Sequence, residues 1–243
     1  MPFFHLVIFD MSGTTVVDRG AVKTCFHEAA AEVRVELSPE RLLALRGRSK
    51  REVFETVLSE QLGADHPELP GRVEQAYATF RHHLEQHYNT EPVEPTDGCL
   101  ECFESLHQQG IAIGLTTGFY REVTDIILSR LGWDKGLNSE HVGGADTLIQ
   151  ASVCSDDVSN GRPAPDMIQR VMALLQATDV SRTIKVGDTR ADILAGKSAG
   201  CGLTLAVTNG SQSVEYLREC DNDGLLSSLR ELPDHIAAAE KAR

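Results

Sequence analysis

Asp10 closes the apolar run Leu6-Val7-Ile8-Phe9 and is followed by Ser12-Gly13-Thr14-Thr15. A short apolar run reads as a buried strand. A carboxylate at its carboxyl end stands where open α/β sheets hold their ligands. On its own such an Asp is ordinarily a turn or N-cap residue; its companions change the reading. Thr117-Gly118 ends another apolar run, where a hydroxyl and exposed backbone N–H groups suit phosphoryl oxygens. Gly161-Arg162-Pro163 sets a fixed cation in a loop just before a helix, able to pair with phosphoryl oxygens or with Asp10. Gly187-Asp188-Thr189-Arg190-Ala191-Asp192 follows a fourth group of strand residues and offers two carboxylates at the mouth of the sheet. Carboxylate oxygens, a carbonyl and waters make the hard, octahedral shell that Mg²⁺ prefers. Such an ion would neutralise a bound phosphoryl group and leave Asp10 free to attack it.

The elements that must position these groups follow from periodicity. Strand signals at 111–116, 151–154, 183–186 and 203–207 alternate with helical signals at 98–109, 121–131, 166–175 and 191–199. That alternation predicts a parallel sheet covered on both faces. From 211 onward the chain reads as helical and peripheral. Between the first strand and the rest lies a stretch of wholly helical character, at 21–33, 39–45, 50–62 and 71–88, closed by Pro92, Pro95 and Asp97-Gly98. The prediction is an α/β core of residues 1–18 and 92–243, Rossmann-like, with a helical cap of residues 19–91 that closes over the strand ends and excludes water.

The 243 residues suffice for such a core plus a small inserted domain. A formal charge of -13 argues against nucleic acid and anionic membrane as partners, and any anionic substrate must find a local cluster of cations. The cysteines at 25, 99, 102, 154, 201 and 220 are scattered through a chain too large to need staples. Cys99-Leu-Glu-Cys102 is a C-x-x-C without a second pair at zinc-ribbon spacing and reads as the start of a core helix. There is no basic leader and no apolar stretch of bilayer length, so the expected protein is reduced and cytoplasmic. His83 and His87, four apart, read as a solvated helix face rather than a metal pair, and Cys25 and His27 as packing residues.

The order Asp10…Thr117…Arg162…Asp188/Asp192 resembles the four motifs of the haloacid dehalogenase superfamily and spans nearly the whole chain. Within it the chain is most similar to the phosphonoacetaldehyde hydrolase-like branch, on Asp10-Met-Ser-Gly-Thr-Thr, Thr116-Thr117-Gly118-Phe119, Gly161-Arg162-Pro163 and Ile184-Lys185-Val186-Gly187-Asp188-Thr189. The resemblance implies a C1-type cap and a small phosphorylated or phosphonate substrate. Asp10 would be the nucleophile of an aspartyl-phosphate. Mg²⁺ would sit on the Asp10 carboxylate, the Ser12 carbonyl and Asp188, with Asp192 in support. Thr117, Gly118 and Arg162 would hold the phosphoryl group. Relatives often dimerise through cap helices, which makes a homodimer an expectation by analogy.

The chain departs from the pattern at Ser12, where phosphatases of the superfamily carry an acid/base Asp. A hydroxyl is a poor proton donor to an alkoxide, and losing a general acid typically costs ~10²–10⁴-fold. Phosphonoacetaldehyde hydrolases carry alanine there, because a lysine Schiff base activates their carbon leaving group. Lys50, in Arg46-Gly47-Arg48-Ser49-Lys50, aligns with that lysine. Arg46 stands where those enzymes have methionine, Val53 where they have histidine and Phe119 where they have tyrosine. Two readings of Lys50 stay open, an imine-forming amine and a cation that grips a distal anion together with Arg46 and Arg48; a solvated lysine is the third. The functional expectation is phosphorus-bond hydrolysis, with true phosphonoacetaldehyde hydrolysis as the first alternative and a phospho-ligand-binding protein of low turnover as the second.

Overall fold

A computed structural model describes residues 2–45 and 48–242. Its centre is a parallel sheet of β1 (Leu6–Asp10), β2 (Ala112–Thr117), β3 (Ala151–Cys154), β4 (Thr183–Gly187), β5 (Leu203–Val207) and β6 (Gly224–Leu226). The strands run in the order β3-β2-β1-β4-β5-β6, each pair parallel. The direction of winding reverses between β1 and β4, which opens a crevice at their carboxyl ends. β1 is buried along its whole length, as expected for a central strand covered on both sides. Its side chains alternate: Val7 and Phe9 join the larger apolar cluster on one face, Leu6 and Ile8 the smaller one on the other. β6 corrects the expectation of a wholly helical tail: at three residues, this edge strand is too short to show a period.

The residues between β1 and β2 fold into α1 (Ala21–Glu32), α2 (Pro39–Ala44), α3 (Lys50–Leu62), α4 (Leu69–Thr90) and α5 (Cys99–Gln108). α5 lies against the sheet; α1 and α3 pack on α4, where Phe26, Phe54 and Phe80 meet with ring centroids 4.5–5.8 Å apart. Gly20 enters α1 at φ 83, a left-handed conformation that glycine adopts without strain. Ser49 caps α3 by accepting from Glu52 N, which fixes Lys50 as the first helical residue. α4 is clasped to α6 (Arg121–Leu131): the Arg81 guanidinium lies 4.5 Å from the Tyr120 ring centroid, Tyr120 Oη donates to Glu85 at 3.0 Å, and Arg130 donates to the Tyr88 carbonyl at 3.1 Å.

The other face carries α7 (Asp166–Leu174) and α8 (Arg190–Ala199); α9 (Val214–Arg218) and α10 (Leu232–Lys241) complete the chain. Cys99 and Cys102 are buried free thiols at the start of α5, raised by burial and unsuited to redox work. His83 faces Glu28 of α1 at 3.2 Å rather than pairing with His87. Among the described residues no helix is long and apolar enough to cross a membrane.

Candidate active site

The loops after β1, β2 and β4 converge on one cavity of about 100 Å³, lined on the sheet side by Asp10, Ser12, Thr117, Gly118, Arg162 and Asp188. Register explains the convergence, since Asp10 pairs with Thr116 across to β2 and Phe9 with Val186 across to β4. Asp10, Asp188 and Asp192 are all buried, with carboxylate oxygens within 4.8 Å of one another. Arg162, also buried, donates through Nη1 to Asp10 Oδ1 at 2.6 Å and to Asp192 Oδ1. Lys185, fully buried in β4, lies 2.9 Å from the same Asp192 oxygen. Asp192 sits in the first turn of α8, where the N-cap Thr189 donates to its Oδ2 at 2.6 Å.

Both Asp192 oxygens are therefore engaged. Burial would raise its carboxyl, but Arg162 and Lys185 hold it down at about 2. Asp188 differs: Ser211 N and Oγ donate to Oδ2 at 2.7 and 2.6 Å, yet burial and the charges of Asp10 and Asp192 push it up to about 7. Burial raises Asp10 as well, against the pull of Arg162. Carboxylates raised by burial and by one another form a site that a cation relieves. Their hard oxygen atoms fit a divalent metal, and Arg162 Nε, buried without a hydrogen-bond partner, adds an unsatisfied donor beside them.

The backbone closes tightly on this cluster. A β-carbon at Gly210 would lie 2.6 Å from Asp188 Oδ2 and 2.6 Å from the Gly13 carbonyl oxygen. Gly210→Ala is expected to displace Asp188 and lower divalent-cation affinity by roughly 10–100-fold, the usual cost of disturbing the support of a metal ligand. Isothermal calorimetry with Mg²⁺ on the Gly210→Ala and parent chains measures this directly.

The helical insertion supplies the opposite wall, chiefly Phe26, Leu42, Leu45, Val53 and Lys50. The Lys50 ammonium lies 5.2 Å from the Phe119 ring centroid and 5.9 Å from that of Phe26. Among the described residues no carboxylate pairs with it. Burial first, then the nearby Arg162, lower it to about 8, against the opposing pull of Asp10, Asp18 and Asp188. Its place at the start of α3 adds to this, because a helix N-terminus disfavours a cation.

Asp10, Ser12, Thr117, Gly118, Arg162, Asp188 and Lys50 are thus brought together. Asp192 lies directly behind them. Arg48 is not: its guanidinium pairs with Glu52 of its own helix at 3.1 Å, and Arg51 is bound to Glu55 and Glu74. Among the described residues the apparent basic cluster is dispersed, because Arg48 and Arg51 each find a glutamate within reach. Arg46 lies outside the described residues. Two residues at the site went unread in the sequence. Lys185 had a usable signal, a charge inside an apolar strand. Tyr88, at the end of α4 and against Phe119 at 5.9 Å, had none.

Comparison with known proteins places the chain in a family. The model of the family described as haloacid dehalogenase-like hydrolase matches residues 7–206. Pyrophosphatase PpaX of Halalkalibacterium halodurans is 35% identical over 174 residues, covering 72% of this chain and 73% of that one. A phosphonoacetaldehyde hydrolase of Bacillus cereus is 30% identical over 224 residues, covering 88% of this chain and 79% of the relative. A phosphonoacetaldehyde hydrolase-like protein from Oleispira antarctica shares the fold at TM-score 0.75 and 20% identity, covering 98% of this chain and 93% of that chain. With the match extending over the whole span from β1 to β5, the chain belongs to the haloacid dehalogenase-like hydrolase family.

Proposed function

We propose that this phosphohydrolase attacks the phosphorus of a small phosphorylated or phosphonate substrate with Asp10, forming an aspartyl-phosphate that water then hydrolyses. The observation that carries the reading is Asp10 itself: a buried carboxylate at a cavity mouth, with Oδ1 held by Arg162 at 2.6 Å and Oδ2 accepting no hydrogen bond among the described residues. Arg162 fixes the nucleophile's orientation and its charge stands beside the entering phosphoryl group. Thr117 and Gly118 line the same space, where hydroxyl and N–H groups serve the remaining phosphoryl oxygens. Asp10, the Ser12 carbonyl and Asp188 would hold Mg²⁺, with Asp192 acting as the counter-ion that fixes Arg162 and Lys185. Bound there, the ion would neutralise phosphoryl charge. The helices of residues 19–91 would act as a cap over the core of residues 1–18 and 92–243.

The wall facing Asp10 is apolar at Phe26, Leu42, Leu45 and Val53, with Lys23 and Lys50 as its cations, which suits a small organic leaving group. Lys50 supports a second, sharper reading: phosphonoacetaldehyde hydrolysis through an imine. An amine lowered to about 8, and without an ion pair among the described residues, is nucleophilic near neutral pH. Condensation with the aldehyde releases water and forms C=N; cleavage of the C–P bond then leaves an enamine while phosphorus passes to Asp10. The test is borohydride trapping with phosphonoacetaldehyde, followed by peptide mass spectrometry. A reduced adduct on Lys50, lost in Lys50→Arg and growing with pH through about 8 as the amine loses its proton, is the expected result. Mg²⁺-dependent phosphate release from small esters without any adduct would return Lys50 to the role of anion grip.

A further inference from the structure

We infer that a second cavity, joined to the first at Lys23, is a subsite for the leaving group, and that Lys23 and Gln212 select leaving groups ending in a carboxylate. The inference rests on the Asp10 reading above and adds a substrate class to it. The second cavity, of about 320 Å³, lies between Lys23, Pro39, Leu42 and Leu43 of the helical insertion and Gln212 and Ser213 beyond β5. Lys23, Leu42 and Ser211 line both cavities, so the two meet along those residues.

Charge and hydrogen bonding in the second cavity both point to an anion. The chain carries a net charge of -13, yet among the described residues no carboxylate lines this cavity. Lys23 is exposed and makes no ion pair among them. It stands in the first turn of α1, where a cation opposes the helix dipole; that turn holds no acid, and no side chain caps it. An unpaired cation in such a place is one that an incoming anion relieves. Gln212 adds a donor: it is 4% exposed, its Oε1 accepts from Arg190 N at 2.6 Å, and its Nε2 makes no hydrogen bond among the described residues. A buried amide with an unused N–H gains from any acceptor brought to it.

A carboxylate matches this pair better than a phosphate does. One cation and one neutral donor balance a monoanion, whereas a dianion would keep a charge unpaired. Asp18 lines the first cavity but not the second, and its Oδ1 accepts from Gly20 N at 2.8 Å. The anionic end of a substrate is therefore directed past Asp18 into the second cavity. Leu42, shared by both cavities, and Leu43 give the connecting atoms an apolar surface. Phosphorus at Asp10, an apolar middle and a carboxylate at Lys23 describe the substrate.

Aryl phosphates supply the test, because a phenolate leaves readily without a general acid. With Mg²⁺, kcat and KM are measured for the phosphate esters of para-hydroxybenzoate and para-hydroxyphenylacetate, and for those of the corresponding primary amides. In the parent, kcat/KM for the better acid is expected to exceed that for its amide by roughly 10–100-fold, the scale of a charge-assisted hydrogen bond. Lys23→Gln should shrink that ratio to within threefold, chiefly through KM, because the contact exists in ground and transition state alike. Lys23→Glu should invert the ratio, and Gln212→Glu, which keeps an acceptor for Arg190 N, should lower it. Taking the ratio within each variant cancels any general loss of folded protein. Acid and amide used equally by the parent, or a ratio unchanged in Lys23→Gln, would overturn the inference, while turnover of the amide that is lost in Asp10→Asn preserved the reading. A preference for para-phenylene bisphosphate over both acids would overturn the carboxylate assignment. A parent chain that hydrolyses none of these esters would refute both the inference and the reading.

Discussion

Asp10→Asn is expected to abolish phosphate release, by at least about 10⁴-fold, while the chain keeps its fold. Loss of a covalent nucleophile in other hydrolases reaches or exceeds that scale, and an amide neither attacks phosphorus nor leaves as an anion. The fold survives because Arg162 retains Asp192 as its counter-ion and Asn fits the volume at the end of β1. One fewer carboxylate in the cluster also relieves the repulsion that pushes Asp188 up to about 7. The check pairs kcat for a small phosphate ester with a thermal melt. Residual turnover within tenfold of the parent, at an unchanged melting temperature, would remove Asp10 from the chemistry.

Arg162→Met is expected to have the largest effect on stability. The guanidinium is 4% exposed and bridges two buried carboxylates. Methionine fills its volume but leaves Asp10 without a cation at hydrogen-bond distance. Breaking a buried ion pair from one side costs roughly 3–5 kcal/mol, equivalent to roughly 10 °C in Tm for a chain of this size. Turnover should fall as well, because the residue both aims Asp10 and faces the phosphoryl group. Arg162→Lys is the informative companion: a single nitrogen, Nη1, makes both bonds, so an ammonium can replace much of the charge. Differential scanning calorimetry of the metal-free chains separates the two. Equal melting temperatures for Arg162→Met and the parent would mean the pair contributes nothing to stability.

The central strands were legible in the sequence because a strand buried on both faces must be a continuous apolar run, as Leu6-Val7-Ile8-Phe9 is. The site residues on the core were legible for a related reason. In a parallel sheet, polar residues that end such runs all emerge at one edge, so Asp10, Thr117 and Asp188 could be placed together without knowing the helices. What remained hidden depends on packing between distant segments. The Tyr88–Phe119 ring contact joins the end of α4 to the turn after β2, and no local pattern marks it. Arg48 looked like part of an anion grip until Glu52, one turn along the same helix, claimed it. Lys50 carried the same ambiguity in sequence; its surroundings, the rings of Phe26 and Phe119 and, among the described residues, no carboxylate partner, come from segments far apart in the chain.

The pairing of three buried carboxylates with Arg162 and Lys185 also fixes the order of affinities at the site. With all three ionised the cluster carries a surplus of one negative charge, and a phosphoryl dianion meets repulsion there. A divalent cation reverses the sign of that surplus, and the dianion together with a protonated Lys50 then brings the whole to neutrality. On the proposed reading, metal and substrate would accordingly be coupled ligands. Each would tighten the binding of the other by the same factor, as linkage requires, and an anion arriving without its cation would be disfavoured.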